Sequence, residues 1–600
     1  MVTAQTPEVQ VIDCDLVIVG GGGAGLRAAL AATLADPGLD IRLVSKVVPM
    51  RSHTVAAEGG AAAVLRDDDS FEQHFEDTVS GGEWLCDQPA VEAFVAACPR
   101  ELSQLERWGC PWSRQDDGRV QTRFFGGMRV QRTWFAADRT GFHMLHTLFQ
   151  TSLRYPSIRR HDEFFCTDLL VDERGLAGVL GVDIAAGTPV VYRTRAAVLA
   201  TGGAGRVYAH NTNAGIVTGE GMALAGAHGV ALRDMEFVQW HPTALPGSGI
   251  LITEGCRGEG GLLLNAEGRR YLQDYGLGPP EPWPRPRAME LGPRDRLSQA
   301  FWQEERAGRT VATPQGGAVL LDLRHLGAAR LAERLPMISE VARRFLGIDP
   351  VATPIPVRPA VHYTMGGIAT GLDGETTLPG LFAAGECAST GIHGANRLGS
   401  NSLAELLVFG RAAGEAAAAW ARSAPARAGG SLQRDAQAHA QHWYAQLTGD
   451  RSAGQPRVAE LRTAMQAAME DGVGIFRDAD GMQRACQTLG ELRARYSAGL
   501  ALDDHSRHFN TEWLSAIELG HSLQVAETIA HAALARRESR GAHVRRDDWS
   551  ARNDENFLVH SLAYCDPEGP PRIEHAPVRL TRSAPAERSY GGAGARVTLD

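Results

Sequence analysis

The sequence predicts an α/β fold with a parallel sheet, and three consecutive segments near the start of the chain support it. The run Asp15-Leu16-Val17-Ile18-Val19 is short and apolar, as expected of a buried parallel strand. Residues 26–34 are rich in Ala and Leu, which favours a helix that stops near Asp36-Pro37-Gly38. A second strand follows at Ile41-Arg42-Leu43-Val44-Ser45. Together they form a βαβ unit of the length that a nucleotide-binding fold needs.

A glycine-rich turn joins the first strand to the helix, with the spacing Gly20-x-Gly22-x-x-Gly25. The first glycine permits a tight turn, the second lets the backbone approach a pyrophosphate, and the third lets the helix pack closely on the strand. This pattern predicts a Rossmann-like dinucleotide site. The contacts expected from the turn are Gly20, Gly22, Gly23, Ala24 and Gly25.

The second strand lacks the acidic residue that would bind the ribose of NAD about 20 positions after the glycines. Ser45 and Lys46 stand there instead. The departure argues against a plain NAD site and leaves FAD open. In that case Ser45 and Lys46 are expected to contact the ribose.

Length and composition limit the architecture and the partners. The 600 residues are too many for one core, so we expect about two to four domains. The net charge of −10 argues against nucleic acid as the main partner. No run of 18 apolar residues occurs, and the first ten residues lack the pattern of a signal peptide. We therefore expect neither a membrane span nor a signal peptide.

Cysteines and charge runs exclude further classes of site. The nine cysteines are scattered and form no CxxC pair, so we expect no metal and no iron–sulfur cluster in this chain. Free thiols fit a reducing compartment. Asp67-Asp68-Asp69 is expected to form a solvated turn. The interrupted basic stretch 536–546 is interpreted as an exposed face or a subunit contact.

Changes in composition and periodicity along the sequence predict four structural parts. Strand-like runs that end in glycine turns recur at 196–203 and 381–386, so the Rossmann-like domain is expected to be discontinuous, at 1–234 and 360–422. Residues 235–359 hold a Pro-rich loop at 278–286 and are expected to form an inserted α+β capping domain. After a linker-like stretch at 423–431, helical periodicity predicts a helical domain at 432–546. A small C-terminal tail, 547–600, has one strand-like piece at 557–562.

Four motifs are specific enough to indicate a family. They are Arg51-Ser52-His53-Thr54-Val55-Ala56-Ala57-Glu58-Gly59-Gly60, Thr253-Glu254-Gly255-Cys256-Arg257-Gly258-Glu259-Gly260, His362-Tyr363-Thr364-Met365-Gly366-Gly367 and His393-Gly394-Ala395-Asn396-Arg397-Leu398-Gly399-Ser400-Asn401-Ser402. In this order they resemble the flavoprotein subunits of fumarate reductase and succinate dehydrogenase over nearly the whole chain. Thr133-Trp134-Phe135-Ala136-Ala137-Asp138 and Leu291-Gly292-Pro293-Arg294-Asp295 are more similar to the quinol:fumarate reductase branch.

The resemblance implies FAD bonded covalently through its 8α carbon to His53, within Ser52-His53-Thr54. Such a substituent withdraws electron density from the ring and raises its reduction potential. Glu220 stands where the family usually has Asp, which makes a direct FAD contact there less certain. The further cofactor contacts that we expect are Gly59, Gly60, Glu220, Glu386, Arg397, Ser402 and Leu403. Ser402 and Leu403 open a helix whose N–H groups would face the flavin pyrimidine.

The resemblance also implies a site for a four-carbon dicarboxylate such as fumarate or succinate. His241, Thr253, His362 and Arg397 are expected to bind it. The expected catalytic residues are Arg294 as proton donor, Glu254 and Arg257 as its relay, and His241. Alternatives from the residues alone stay open: a satisfied core histidine at 241 or 362, a structural Glu254–Arg257 ion pair, and a surface Arg294–Asp295 pair.

A reductase needs a source of electrons, and the sequence of this chain shows no ligand pattern for an iron–sulfur cluster. By resemblance, an iron–sulfur subunit supplies electrons and membrane anchor subunits hold the complex on the cytoplasmic face of the inner membrane. The same residues serve fumarate reduction and succinate oxidation, so the direction stays open. Competing interpretations are L-aspartate oxidase, with non-covalent FAD, and a catalytically silent FAD-binding assembly subunit. The Ser52-His53-Thr54 run argues against the first and the complete set of polar site residues against the second.

Overall fold

The computed structural model describes residues 6–277, 289–425, 431–448 and 454–588. The Pro-rich patch 278–286 and residues 426–430 of the linker-like stretch lie outside the described residues. Within the described ranges, none of the helices combines the length and the apolar character needed to cross a bilayer.

A five-stranded parallel sheet carries the predicted βαβ unit at its centre. The strands Leu16–Val19 and Ile41–Ser45 pair in parallel and are joined by the helix Gly23–Ala35. The order across the sheet is Leu381–Ala383, Ala196–Leu199, Leu16–Val19, Ile41–Ser45 and Ile158–Asp162. Strands far apart in sequence are therefore neighbours, as expected of a discontinuous domain, and the α/β prediction is confirmed.

Helices cover the faces of this sheet. Gly23–Ala35 is rich in Ala because it packs closely against the long helix Asn401–Ser423, where Gly414 lies so near that an added Cβ would be 2.2 Å from the Ala28 carbonyl oxygen. The other helices of this part are Phe71–Gly81, Gln88–Arg107, Thr140–Ser152 and Glu220–Ala227. Single turns of 3₁₀ helix lie at Pro49–Arg51, His53–Ala56, Gly205–Val207 and Gly385–Cys387.

Two smaller sheets flank the parallel one. The four-stranded sheet has the order Gln10–Asp13, Thr188–Arg193, Gly175–Asp183 and Phe164–Asp172. A three-stranded sheet has the order Ala61–Ala62, Thr133–Trp134 and Thr122–Arg123.

The inserted segment is built on its own antiparallel sheet and its own apolar core. The sheet has the order Val238–Ala244, Ile355–Thr364, Gly316–Asp322 and Leu262–Leu264, with Val311–Thr313 beside the third strand. Its helices are Glu254–Gly258, Tyr271–Tyr275, Arg294–Arg306, Arg324–Leu326, Gly327–Arg334, Pro336–Val341 and Ala342–Leu346. The strand Ile355–Thr364 crosses the expected boundary at 359/360 and so runs continuously from this segment into the nucleotide-binding part.

The helical region has the predicted periodicity. Its helices are Leu432–Ala445, Gln446–Thr448, Val458–Gly472, Ala479–Ser497 and Thr511–Ala535. The tail then forms a short helix, Asp554–Phe557, and the strands Val559–Tyr564 and Arg572–Pro577. These strands complete a five-stranded sheet in the order Ala388–Ser389, Gly367–Ala369, Leu232–Arg233, Val559–Tyr564 and Arg572–Pro577.

The interpretation of 536–546 as an exposed face is wrong. Arg536 and Arg540 are fully buried against the carboxylate of Glu538, at 2.9 Å and 2.8 Å. Arg536 also pairs with Glu236 at 2.5 Å. Arginines are buried when carboxylates neutralise them, and one of these carboxylates comes from 300 residues earlier in the chain. The local basic pattern of residues 536–546 gives no indication of the distant partner Glu236.

The expected solvated turn at Asp67–Asp69 is wrong at its last residue. Asp68 pairs with Arg66 at the surface, but Asp69 is buried and pairs with Arg132 at 2.9 Å. The Arg132 guanidinium also binds Asp77 at 2.6 Å. A buried arginine beside the helix Phe71–Gly81 therefore turns one member of an acidic run inward.

Candidate active site

The glycine turn has the close contacts that its spacing predicts. Gly20 has a φ of +117°, and an added Cβ would lie 2.1 Å from the Ala200 carbonyl oxygen. A Cβ at Gly25 would lie 1.8 Å from the Gly20 carbonyl oxygen. Gly25 therefore lets the helix close on the turn, while Gly22 and Gly23 present the helix N-terminus to a neighbouring cavity. The positive end of the helix dipole at this N-terminus favours an anion such as a pyrophosphate.

The cavity has a volume of about 500 Å³, within the range of cofactor sites. Most of the expected cofactor residues lie on its wall. They are Gly20, Gly22, Gly23, Ala24, Ser45, Lys46, Ser52, His53, Thr54, Glu220, Glu386, Ser402 and Leu403.

Four expected contacts do not line this cavity: Gly25, Gly59, Gly60 and Arg397. An added Cβ would meet the Phe125 ring at Gly59 and Thr133 and Trp134 at Gly60. These two glycines thus permit close packing behind the cavity wall.

Unpaired polar atoms on the wall fit a ligand rich in hydroxyl and phosphate groups. Among the described residues, Ser52 Oγ, Asn213 Oδ1 and Glu58 Oε2 are buried without a hydrogen-bond partner, and all three residues line the cavity. A buried polar atom without a partner is costly. Together with the glycine turn and the helix N-terminus, these atoms match the ribityl, phosphate and ring groups of FAD.

His53 faces this cavity from the 3₁₀ turn His53–Ala56. Its Nδ1 accepts from the backbone N–H of Ala214 at 3.3 Å, and its Nε2 lies 3.5 Å from Asn213 Nδ2. Desolvation lowers the pKa of His53 to about 4. The imidazole is therefore neutral at physiological pH, the charge state that a nucleophile requires.

Lys46 lies between two carboxylates on the cavity wall. Its Nζ is 2.8 Å from Glu220 and 2.8 Å from Glu518, and it donates to Thr218 Oγ1 at 3.2 Å. Burial alone would lower the pKa of Lys46, but the two carboxylates outweigh it and raise that pKa. Glu220 is thus engaged with Lys46, and its longer side chain, compared with Asp, makes this pair possible.

Glu386 follows the strand Leu381–Ala383 and lines the cavity. It accepts from the Thr364 backbone N–H at 3.0 Å. Burial raises the pKa of Glu386 to about 7, against the opposing effects of that N–H and of Arg397. A carboxyl group in this position can accept from, or share a proton with, a cofactor hydroxyl.

Two histidines stand next to the cavity at the junction with the inserted segment. The ring centroids of His241 and His362 are 5.0 Å apart. Burial and the charge of Arg294 hold the pKa of both rings well below the usual value. Thr212 Oγ1 lies 2.8 Å from His362 Nδ1, which orients that ring. Both rings are therefore neutral hydrogen-bonding groups.

Arg397 supplies a cation close to these rings. Its guanidinium carbon lies 4.2 Å from the centroid of the Tyr363 ring, and Nη1 donates to Ser402 Oγ at 3.0 Å. Within the described part of the chain its Nε is buried without an acceptor. Burial and nearby Arg294 lower the pKa of Arg397 to about 10, so it remains charged at neutral pH. An under-satisfied buried guanidinium is suited to bind a carboxylate.

The expected proton relay is assembled from two helices. Glu254 begins the helix Glu254–Gly258, and its Oε2 accepts from Arg294 Nε at 2.9 Å. Arg257 Nη2 lies 3.6 Å from the same oxygen. Burial opposes ionisation of Glu254, but the two arginines outweigh it and lower its pKa. Thr253 caps this helix by accepting from the Gly255 N–H at 3.2 Å.

The geometry bears on two ion pairs that the sequence left open as alternatives. Arg294 is 7% exposed and points to Glu254 rather than to its neighbour Asp295, so this is no surface pair. The Glu254–Arg257 contact exists, but Glu254 binds Arg294 more closely.

Sequence reasoning missed the residues that orient the site. Gln239 accepts from Arg294 Nη1 at 3.0 Å and donates to the Arg397 carbonyl oxygen at 2.8 Å, so it connects the two cations. Asn213 donates to the His362 carbonyl oxygen at 3.1 Å. Gln239 stands two residues before His241, and this position was the one indication in the sequence that it belongs to the site. For Asn213 the sequence offers no indication beyond its place in a polar run.

Comparisons with known proteins agree with this geometry. The FAD binding domain family matches residues 15–403, and the fumarate reductase flavoprotein C-terminal family matches residues 462–590. A fumarate reductase flavoprotein subunit of Serratia sp. (strain ATCC 39006) is 58% identical over 588 residues, covering 97% of this chain and 98% of that protein. A succinate dehydrogenase flavoprotein subunit of Rickettsia conorii is 40% identical over 587 residues, covering 94% and 95%.

A solved structure is similar over the whole fold. A mutant chain of E. coli quinol fumarate reductase superposes with a TM-score of 0.93 at 57% identity, covering 98% of this chain and 100% of that chain.

Proposed function

The chain belongs to the family of fumarate reductase and succinate dehydrogenase flavoprotein subunits, and on that premise we propose that it catalyses the interconversion of fumarate and succinate. One observation carries the proposal. Two neutral histidines and three arginines converge next to the cofactor cavity, where a planar dianion needs hydrogen bonds and positive charge at both ends.

FAD is the cofactor, and the cavity wall holds it through the residues described above. When bound, FAD supplies a two-electron couple that can deliver a hydride to one alkene carbon. His53 is the residue that attaches it covalently in this proposal. Support comes from its neutral ring on the cavity wall, with Nδ1 engaged by the Ala214 N–H.

Arg397, His241, His362 and Thr253 bind the two carboxylates of the substrate. The arginine keeps its charge, and each neutral ring can donate an N–H hydrogen bond to a carboxylate. As negative charge grows on the far carboxylate during reduction, Arg397 and the histidines stabilise it within a site that excludes water.

Arg294 gives a proton to the second alkene carbon. An arginine is a weak acid, so it must regain the proton at once. Glu254 touches Arg294 and Arg257 together and is held ionised by both, so its carboxylate would take a proton from Arg257 and pass it to Arg294, while Arg257 would regain its proton from solvent. Gln239 holds the other side of the Arg294 guanidinium and fixes its direction.

The direction that we propose is fumarate reduction. The fumarate reductase relative shares 58% of its residues with this chain and the succinate dehydrogenase relative 40%. Electrons would come from a quinol through an iron–sulfur subunit, and membrane anchor subunits would hold the chain peripherally on the cytoplasmic face of the inner membrane. Succinate oxidation uses the same side chains and is the second candidate.

The test is a reduced-dye assay on the purified FAD-loaded chain. Fumarate should oxidise the dye, and succinate should reduce an oxidised dye more slowly. Replacement of Arg397 by Gln should abolish both rates while FAD stays bound. Formation of hydrogen peroxide from L-aspartate, without turnover of fumarate, would contradict the proposal and indicate L-aspartate oxidase.

A further inference from the structure

The far C-terminal end of the described chain reaches the helix that carries the proposed proton donor. The helix Arg294–Arg306 begins with Arg294, and its second residue, Asp295, is 5% exposed. The Asp295 Oδ2 atom binds Arg588 Nη2 at 2.7 Å. The two partners are 293 residues apart in sequence.

Arg588 is held on its other side by the nucleotide-binding part of the chain. Its Nε lies 3.1 Å from Glu83 Oε1, in the turn between the helices Phe71–Gly81 and Gln88–Arg107. The other carboxylate oxygen of Glu83 binds Arg552 at 3.1 Å. The side chains of Arg588, Asp295 and Glu83 are 6%, 3% and 8% exposed. Arg588 therefore bridges two carboxylates on different parts of the fold.

Glu83 is placed for this bridge at a conformational cost. Its φ is +55°, in the left-handed region that a residue with a Cβ seldom adopts. Such a conformation persists where surrounding contacts determine it. Its two arginine partners both come from the C-terminal region, so they supply those contacts.

The bridge from Glu83 through Arg588 to Asp295 restrains the first turn of the helix Arg294–Arg306, which carries the proposed proton donor. Arg294 and Asp295 are consecutive, and their side chains leave the helix in different directions, one to Glu254 and Gln239 and the other to Arg588. Fixing the Asp295 carboxylate limits both rotation and fraying of this turn. It thereby limits the positions open to the Arg294 guanidinium, and a misplacement of about 1 Å can cost roughly 100-fold in rate.

We propose that Arg588 is a positioning residue for proton delivery: the C-terminal segment clamps Asp295 and so aims Arg294 at the substrate. This inference rests on the proposed function, since it deepens the role of Arg294. The clamp connects the inserted segment to the nucleotide-binding part, so the donor is aimed only when both parts and the tail are together.

The experiment compares Arg588→Ala, Arg588→Lys and Asp295→Asn with wild type, all as FAD-loaded full-length chains. Arg582→Ala is the matched control, because Arg582 lies on the same tail but pairs at the surface with Glu72 and Glu92. The readouts are FAD content, kcat and KM for fumarate, the solvent deuterium isotope effect on kcat, and amide hydrogen exchange of residues 294–301.

Arg588→Ala and Asp295→Asn should lower kcat roughly 10- to 100-fold while KM stays within about twofold, because substrate contacts are intact. The isotope effect should rise, since proton delivery becomes slower than the other steps, and exchange at 294–301 should accelerate. Arg588→Lys should recover part of kcat. Arg582→Ala should match wild type in every readout.

An unchanged kcat, a lowered kcat without a larger isotope effect, or equal losses in Arg582→Ala would overturn the clamp. If Arg588→Ala fails to fold, the near-isosteric Asp295→Asn decides by the same criteria. Failure of the proposed function would look different: wild type itself would not turn over fumarate. In that event, unchanged exchange at 294–301 in Arg588→Ala would also overturn the clamp.

Discussion

Arg294 Nε donates to Glu254 Oε2 at 2.9 Å, and the two side chains are 8% and 1% exposed. One residue begins the helix Arg294–Arg306 and the other begins Glu254–Gly258. The contact joins two helix N-termini at the substrate end of the site. In the proposed reaction, a proton lost from the guanidinium would be replaced through Glu254 rather than directly from bulk water.

Replacing Arg294 by Lys should lower the rate of fumarate reduction by about 100-fold or more, within the range expected for loss of an acid catalyst. A single ammonium group cannot bind Glu254 and Gln239 together in the planar geometry of arginine. Rates are measured with reduced dye, and FAD by its absorbance. Arg296→Lys on the same helix is the control, since the Arg296 side chain donates to the Gln299 side chain at 3.4 Å. A rate close to wild type with FAD bound would show that Arg294 is not the acid.

Replacing His53 by Ser should leave FAD bound but no longer covalently attached. After acid precipitation and electrophoresis, the wild-type band should keep flavin fluorescence and the His53→Ser band should lose it. The midpoint potential of the bound flavin should also fall, because the electron-withdrawing substituent is gone. His439→Ser, a histidine that pairs with Asp168 at the surface, should keep the fluorescence. A fluorescent His53→Ser band would assign the link to another residue.

His560 makes stability depend on pH in the alkaline range. It lies 2.6 Å from Asp234 and 3.5 Å from Asp87, and burial, which would lower its pKa, is outweighed by these carboxylates, which raise it to about 9. Because the folded value exceeds the unfolded value of 6.5, the stabilisation is complete below pH 6.5 and is lost as the pH rises to about 9. At about 1.4 kcal/mol per unit of pKa difference, the loss amounts to roughly 3 kcal/mol.

Urea unfolding of wild type and His560→Gln across this pH range tests the dependence. The difference in unfolding free energy should shrink as the pH rises, whereas His575→Gln on the neighbouring strand should show no such trend. A constant difference across the range would mean that His560 does not titrate as described.

Replacing Glu538 by Gln should destabilise the fold by about 3–5 kcal/mol, the usual cost of breaking a buried ion pair. Glu538 neutralises Arg536 and Arg540 with none of the three side chains exposed, and Gln removes its charge at nearly constant shape. Chemical unfolding measures the loss. Glu555→Gln changes an exposed carboxylate nearby and should stay within about 0.5 kcal/mol of wild type. Equal stability of the two variants would contradict this account.

The parts of the fold that were predictable have local signatures. The strand Leu16–Val19, the turn at Gly20–Gly25 and the helix after it follow from apolar runs and glycine spacing. The helices between 432 and 535 follow from periodicity. Of the site residues carried over from the four motifs, Ser52, His53, Thr54, His362 and Ser402 line one cavity, whereas Thr253, Glu254 and Arg257 are not on its wall.

The rest depends on partners that are distant in sequence. The strand Val559–Tyr564 pairs with residues 232–233 on one side and with Arg572–Pro577 on the other, and nothing in residues 232–233 indicates the distant partner. Arg536 is basic in sequence but neutralised by Glu236 in space. Gln239 gains its role only because Arg294 and Arg397 converge on it. Such pairings become visible only when the chain is folded.

The sheet that joins Leu232–Arg233 to Val559–Tyr564 has a consequence for biosynthesis. On the ribosome, the first of these strands emerges hundreds of residues before its partner is synthesised. The nascent polypeptide must therefore keep that edge unpaired, and thus open to aggregation, until translation has almost ended. Variants truncated before residue 559 should therefore leave the Leu232–Arg233 edge unpaired and aggregate more readily.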